Sequence, residues 1–279
     1  MNKSRLFSIL GALGLVVILF YFGKRSASVT KDLNTGNAVS SEITIDTILH
    51  HARENLTPAQ ITRLDLLEKS ITRGDVKSQQ LNVFHELAHF WKDSARIFEP
   101  YAWYEAEASR LEYSEKSLTF AAHLFLDNLR NESIPQLKKW KALQAKDLFE
   151  RSLRINDKND SSLVGLGACY IFGGIAENPM EGILKVRQVA EKDSTNIFAQ
   201  LVLGQGSTIS GQYDKAISRF ERVNRLQPDN LEAILLLAEV YERIKEPKLA
   251  IKWYSQALPL IKNLDVRKEL QKRIEELKK

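Results

Sequence analysis

Cysteine is nearly absent from this chain of 279 residues: Cys169 is the one thiol, so no intramolecular disulfide can form. It lies in an apolar segment of helical period, which predicts a buried structural thiol. Alternation of apolar and polar residues is also missing, and the short instance around Ile43 to Ile45 does not call for a sheet. Charge of one sign is scarce. The net charge of +5 is spread along the chain and not gathered into an arm, which excludes the usual footprint of a nucleic-acid binder. The motifs of nucleotide and acyl chemistry are lacking too. There is no P-loop and no G-x-S-x-G, and Gly165-Leu166-Gly167 and Gly204-Gln205-Gly206 lie inside helical periods without completing G-x-G-x-x-G. Ser, His and Asp residues are scattered without the spacing of a triad, so no cofactor and no catalytic residue is expected.

What is present is an ordinary folding composition, 44% hydrophobic and 27% charged, enough to bury a core. The first residues stand apart. Leu6 to Phe22 is a run of 17 residues without charge, flanked by Lys3, Arg5, Lys24 and Arg25, at the short end of what spans a bilayer as a helix. Lys24 and Arg25 separate this run from the small residues Ser26-Ala27-Ser28, which argues for a retained anchor over residues 1–25 instead of a cleaved signal. A short basic N-terminus stays inside, placing the remainder on the periplasmic or outer side as a single-pass membrane protein. Residues 26–42, rich in Ser, Thr and Asn, read as a flexible linker.

Helical signals then follow one another. Ile45, Ile48, Leu49 and Ala52 recur at helical spacing, Thr57-Pro58 opens a second helix, and Arg73-Gly74-Asp75 closes it as a glycine cap, not an adhesion motif. Val76 to Asp93 and Phe98 to Tyr113 form the next two helices, the latter with a small-residue stripe at Ala102, Ala106 and Ser109. The clearest stretch runs from Ile197 to Asn230. Leu203 and Gly204 sit on its first helix, Gly211 breaks the chain, Tyr213 opens the second helix, and Ala216, Phe220 and Val223 make a stripe before Pro228. Adding 34 gives Leu237, Ala238, Ala250, Tyr254 and Ala257, similar residue types at matching points. The segment from Asp160 to Asn196 follows the same pattern with about three extra residues near Asn178-Pro179.

In this period and these residues the chain resembles the tetratricopeptide repeat family. The resemblance implies an all-α fold: a tetratricopeptide repeat α-solenoid, a right-handed superhelix of helix pairs, preceded here by one transmembrane helix. It divides the chain into N-terminal helices with a degenerate repeat (43–114), repeats (115–264) and a C-terminal capping helix (265–279). It further implies a non-catalytic adaptor or scaffold whose concave groove, lined by the first helix of each pair, holds a protein or peptide. By helical period the groove receives Val164, Ala168 and Ile171, then Phe198, Leu201, Gln205 and Thr208, then Glu232, Leu235, Glu239 and Glu242. That lining predicts a partner with apolar anchors and basic residues.

The rival reading starts from His85-Glu86-Leu87-Ala88-His89. Its H-E-x-x-H spacing puts two imidazoles on one helical face for zinc, with Glu86 as general base, and would suit a membrane-tethered zinc peptidase. A third ligand has to come from elsewhere, and Glu105, Glu107 or Glu112 on the following helix are the candidates.

Overall fold

Asn159, Asn196 and Asn230 each stand directly before a helix, and each side-chain oxygen accepts the amide of the residue three positions on: Ser162 at 2.8 Å, Ala199 at 2.9 Å and Ala233 at 2.9 Å. Such an N-cap satisfies one of the amides that the first helical turn leaves open. The last two caps are 34 residues apart, and the first is three further away, matching the insertion near Asn178. Turns repeat as well. Gly211 closes one helix with φ +73°, and 34 positions on Lys245 is held in the same left-handed region at φ 63°. In both turns the following amide reaches back five residues, Gln212 to the Ser207 carbonyl and Glu246 to the Tyr241 carbonyl.

The computed structural model describes residues 43–71, 76–175 and 178–279. The expected anchor (1–25), the linker (26–42) and Arg73-Gly74-Asp75 lie outside the described residues. No described helix is long and apolar enough to cross a membrane. The described chain is all-α, with no strand. Its helices are α1 (Ile45–Glu54), α2 (Pro58–Ile71), α3 (Lys77–His89), α4 (Phe98–Glu112), α5 (Glu115–Leu129), α6 (Pro135–Ile155), α7 (Asp160–Phe172), α8 (Met180–Lys192), α9 (Ile197–Ile209), α10 (Tyr213–Leu226), α11 (Leu231–Arg243), α12 (Pro247–Ala257) and α13 (Leu264–Leu277).

The described residues form two units that divide within α8, 43–185 and 186–279. In the first unit consecutive helices from α2 to α7 pack in pairs, and α5 also touches α7. At the start of α2, Thr57 and Gln60 make a reciprocal capping box: the Gln60 amide donates to Thr57 Oγ1 at 3.3 Å and the Thr57 amide to Gln60 Oε1 at 2.9 Å. One helix expected to run to Asp93 instead changes pitch. After His89 the chain widens into a π-helical turn, Phe90–Ala95, that ends at Arg96 in the left-handed conformation. This turn seats Phe90 and Trp91 side by side in the core, with exposures of 1% and 0%, and π-turns of this kind mark places where packing overrides the regular ladder.

In the second unit α9 packs on α10, α10 on α11, α11 on α12 and α12 on α13. Phe220, Val223, Leu237 and Tyr254 lie in its core. The last described helix buries Val266, Leu270 and Ile274 and leaves its other face charged. It is also tied down electrostatically: Arg273 bonds Glu242 on α11 and sits 3.1 Å from Glu276.

Candidate interaction surface

Helix α5 buries Leu118, Ala121, Ala122 and Phe125 on one face. Lys116, Thr119, Phe120 and His123 therefore fall on the other, at the spacing of neighbours along a helix. Together with Glu115 and with Asn159 ahead of α7 they line a cleft of about 410 Å³. Phe120, which lines it, is 52% exposed.

The walls of the cleft are set by hydrogen bonds. Behind Thr119, three hydroxyls from α5, α6 and α7 close a ring: Thr119 to Ser152 at 2.9 Å, Thr119 to Ser162 at 3.1 Å, and Ser162 to Ser152 at 2.9 Å. The side-chain amides of Asn156 and Asn159 both donate to Glu115, and His123 Nε2 pairs with Ser161 Oγ at 2.9 Å. The His123 ring meets Phe149 edge-on at 5.2 Å.

Ser161, bonded to the cleft-lining His123, raises the question of nucleophilic chemistry. Burial first, and the Arg130 charge second, pull His123 down to about 4. A base this weak does not activate a hydroxyl near neutral pH, where a general base works best with a pKa close to the operating pH. The same shift has a consequence for stability. Because the folded value lies below the ordinary 6.5, the unfolded chain takes the proton first, so stability falls as pH drops from about 6.5 to about 4 and levels off below. The full shift corresponds to at most about 3 kcal/mol. His123→Gln is expected to flatten this limb, which urea midpoints of both proteins at pH 7 and pH 4.5 would show; an equal acid loss in the two would count against the assignment.

The groove row expected from helical period is only partly available. Val164 and Ala168 are 0% exposed, because α7 packs against both α5 and α6 and buries every residue from Val164 to Cys169. They are core residues, not lining, and Ile171 is the one half-exposed member of that trio. In the second unit Leu201 and Leu235 are almost covered, at 6% and 5%, while Phe198, Gln205, Thr208 and Glu232 remain half-exposed. Here successive first helices do meet, with Gln205 Nε2 donating to Glu232 Oε1 at 3.1 Å.

The glutamates are not an open acidic surface. Glu239 is buried and held by Arg243 Nη2 at 2.6 Å. Glu242 takes Arg273 from α13 and the Tyr254 hydroxyl, which donates to it at 3.1 Å. Burial and the Glu242 charge push that phenol well up, so it stays protonated as a donor. Glu232 accepts from the Gln205 side-chain amide.

The H-E-x-x-H residues do not converge on a third donor. His85 Nδ1 lies 3.6 Å from Glu105 and His89 Nδ1 lies 3.4 Å from Asp93, so each imidazole faces a different carboxylate. Glu86 is exposed. Among the described residues the donors that do gather are His50, His51 and Glu54 on α1. Cys169 is buried, and burial pushes its thiol well up, out of the range of a nucleophile.

Residues 208–270 match the family model described as Tetratricopeptide repeat. No curated protein matches the chain. Among solved structures it is similar to YrrB, a TPR protein with an unusual peptide-binding site, at 17% identity over 74% of this chain and 97% of that one, with a TM-score of 0.42. It is also similar to PilW, a type IV pilus biogenesis factor, at 17% identity over 71% and 90% with a TM-score of 0.48, and to MamA at 14% identity over 64% and 91% with a TM-score of 0.42. Likenesses this loose transfer neither a site nor a partner.

Proposed function

For a chain that carries tetratricopeptide repeats, we propose the role of a non-catalytic scaffold that holds a protein or peptide partner, tethered to a membrane through residues 6–22 with its repeats on the outer or periplasmic side. The observation that carries the binding role is the cleft on α5, where Phe120 stands exposed above a hydrogen-bonded floor. An aromatic ring already ordered at the surface gives a partner's apolar side chain something to desolvate against with little entropy to lose. The partner chemistry that fits is an apolar anchor. A basic flank is no longer favoured, since Glu239 and Glu242 already hold Arg243 and Arg273.

A photo-crosslinking residue at position 120 in native membranes is expected to capture a discrete partner, while one at the exposed Leu143 on α6 does not. Phe120→Ala should then weaken that partner about ten-fold or more, measured by titration of the purified pair with Leu143→Ala as control. Equal affinity of the two variants would remove Phe120 from the site. A topology reporter fused after Lys279 tests the compartment, and a cytoplasmic signal would overturn it. Peptide cleavage abolished by Glu86→Gln would overturn the non-catalytic reading.

A further inference from the structure

The first described helix, α1, places three metal-binding side chains on one surface. His50 Nδ1 is 3.6 Å from Glu54 Oε1 and His51 Nδ1 is 3.3 Å from Glu54 Oε2. All three donor atoms lie within 4.8 Å of one another. Bonds of about 2.1 Å from a tetrahedral ion put neighbouring donors roughly 3.4 Å apart, and each imidazole nitrogen stands near that distance from one of the two Glu54 oxygens, His50 from Oε1 and His51 from Oε2. The two imidazoles meet edge-on at 5.9 Å between centroids.

Electrostatics around the group permit a cation. The nearest fixed positive charge on the helix, Arg53, is drawn across to α2 by Asp65 and by Glu68 at 3.2 Å. It therefore does not compete for Glu54. The site is open to solvent, with His50 74% and Glu54 55% exposed, so water can fill the remaining coordination positions. Among the described residues the side chains of His50 and His51 meet only Glu54 and each other.

We propose that His50, His51 and Glu54 bind one divalent transition-metal ion of the zinc type. Two imidazoles and one carboxylate suit zinc, copper(II) or nickel, whereas magnesium and calcium require a shell of oxygens. The sequence draws attention to His85 and His89 through a familiar motif, yet the folded chain gathers the other pair.

The test uses the full-length chain in detergent, purified without a histidine tag, and titrated calorimetrically with zinc chloride and with magnesium chloride. One zinc per chain is expected, with no magnesium binding. His50→Ala, His51→Ala and Glu54→Gln should each weaken zinc about ten-fold or more, and His85→Ala/His89→Ala should leave it unchanged. Far-ultraviolet circular dichroism checks that helicity is kept, and Glu54→Gln, a near-isosteric change at an exposed position, keeps the comparison open if a histidine variant loses α1. Absence of stoichiometric zinc in the wild-type chain would overturn the proposal. So would zinc binding that survives all three α1 substitutions, or that disappears in His85→Ala/His89→Ala.

Discussion

Lys141→Met is expected to cost the first unit about 3–5 kcal/mol of stability. Lys141 sits in the middle of α6 with its side chain 1% exposed, 2.6 Å from Glu132 and 2.9 Å from Glu99. Asn128 accepts a further bond from the ammonium at 2.5 Å, and the Phe98 ring lies 5.5 Å away. Burial alone would pull the Lys141 pKa down; the charges of Glu99 and Glu132 outweigh it and hold the ammonium above its ordinary value. Glu99 is 0% exposed and both its oxygens lack a well-directed hydrogen bond, so it depends on charge attraction to Lys141. Methionine keeps most of the volume and removes only the charge, leaving carboxylates in the core without a counterion.

The same logic separates this account from a packing effect. Lys141→Met/Glu99→Met removes the ammonium together with the carboxylate that depends wholly on it and should regain part of the loss, because an apolar pair is close to neutral against the ion pair it replaces, while Glu132, which also accepts the Ile134 amide, still lacks its cation. Urea unfolding followed by tryptophan emission reads this unit well: Trp91, Trp103 and Trp140 belong to it, against Trp253 in the other. A single-variant loss below about 1 kcal/mol would show that the pair is solvated more than its burial indicates.

The repeat was legible wherever one local signal decides the structure. Thr57-Pro58, Gly211 and Tyr213 mark helix ends from within a few residues, and the helices begin and end there in the structure. The faces of the helices were harder to read. A period separates core from groove only when the helix has a polar side, and α7 and α11 hardly have one: Val164–Cys169 and Ala233–Val240 are buried without a break. That is why Val164 and Ala168 were assigned to a surface that they do not reach. Helix α5 is the opposite case. Leu118, Ala121, Ala122 and Phe125 recur at helical spacing on its buried stripe, and Phe120, a large aromatic ring on its polar side, is the feature that could have pointed to the cleft. Long-range charge pairs were out of reach, since nothing local links Lys141 to Glu99 or Arg273 to Glu242.

Gly204 is expected to tolerate a methyl group only when Phe220 is gone. A Cβ built at Gly204 would lie 2.3 Å from Phe220 Cε1 and 2.8 Å from its Cδ1 and Cζ, while the ring is 0% exposed and has nowhere to move freely. Gly204→Ala should therefore destabilise the second unit by about 1–3 kcal/mol through overpacking, even though alanine in a helix is intrinsically better than glycine by about 0.5–1 kcal/mol. Phe220→Ala alone opens a cavity and should cost about 3–5 kcal/mol. In that background the obstacle to the methyl is absent, so adding Gly204→Ala should be neutral or stabilising by up to about 1 kcal/mol. The sign of the glycine substitution thus reverses with the residue at 220, and a double-mutant cycle from denaturant midpoints measures it. Thirty-four residues on, the matching positions are Ala238 and Tyr254, both buried, and there the ring is fixed by its hydroxyl bond to Glu242. Phe220 has no hydroxyl to be fixed by, so its place depends on the gap that glycine leaves. A Gly204→Ala variant as stable as the wild type would mean that the ring yields, and that the close approach of the two helices has another cause.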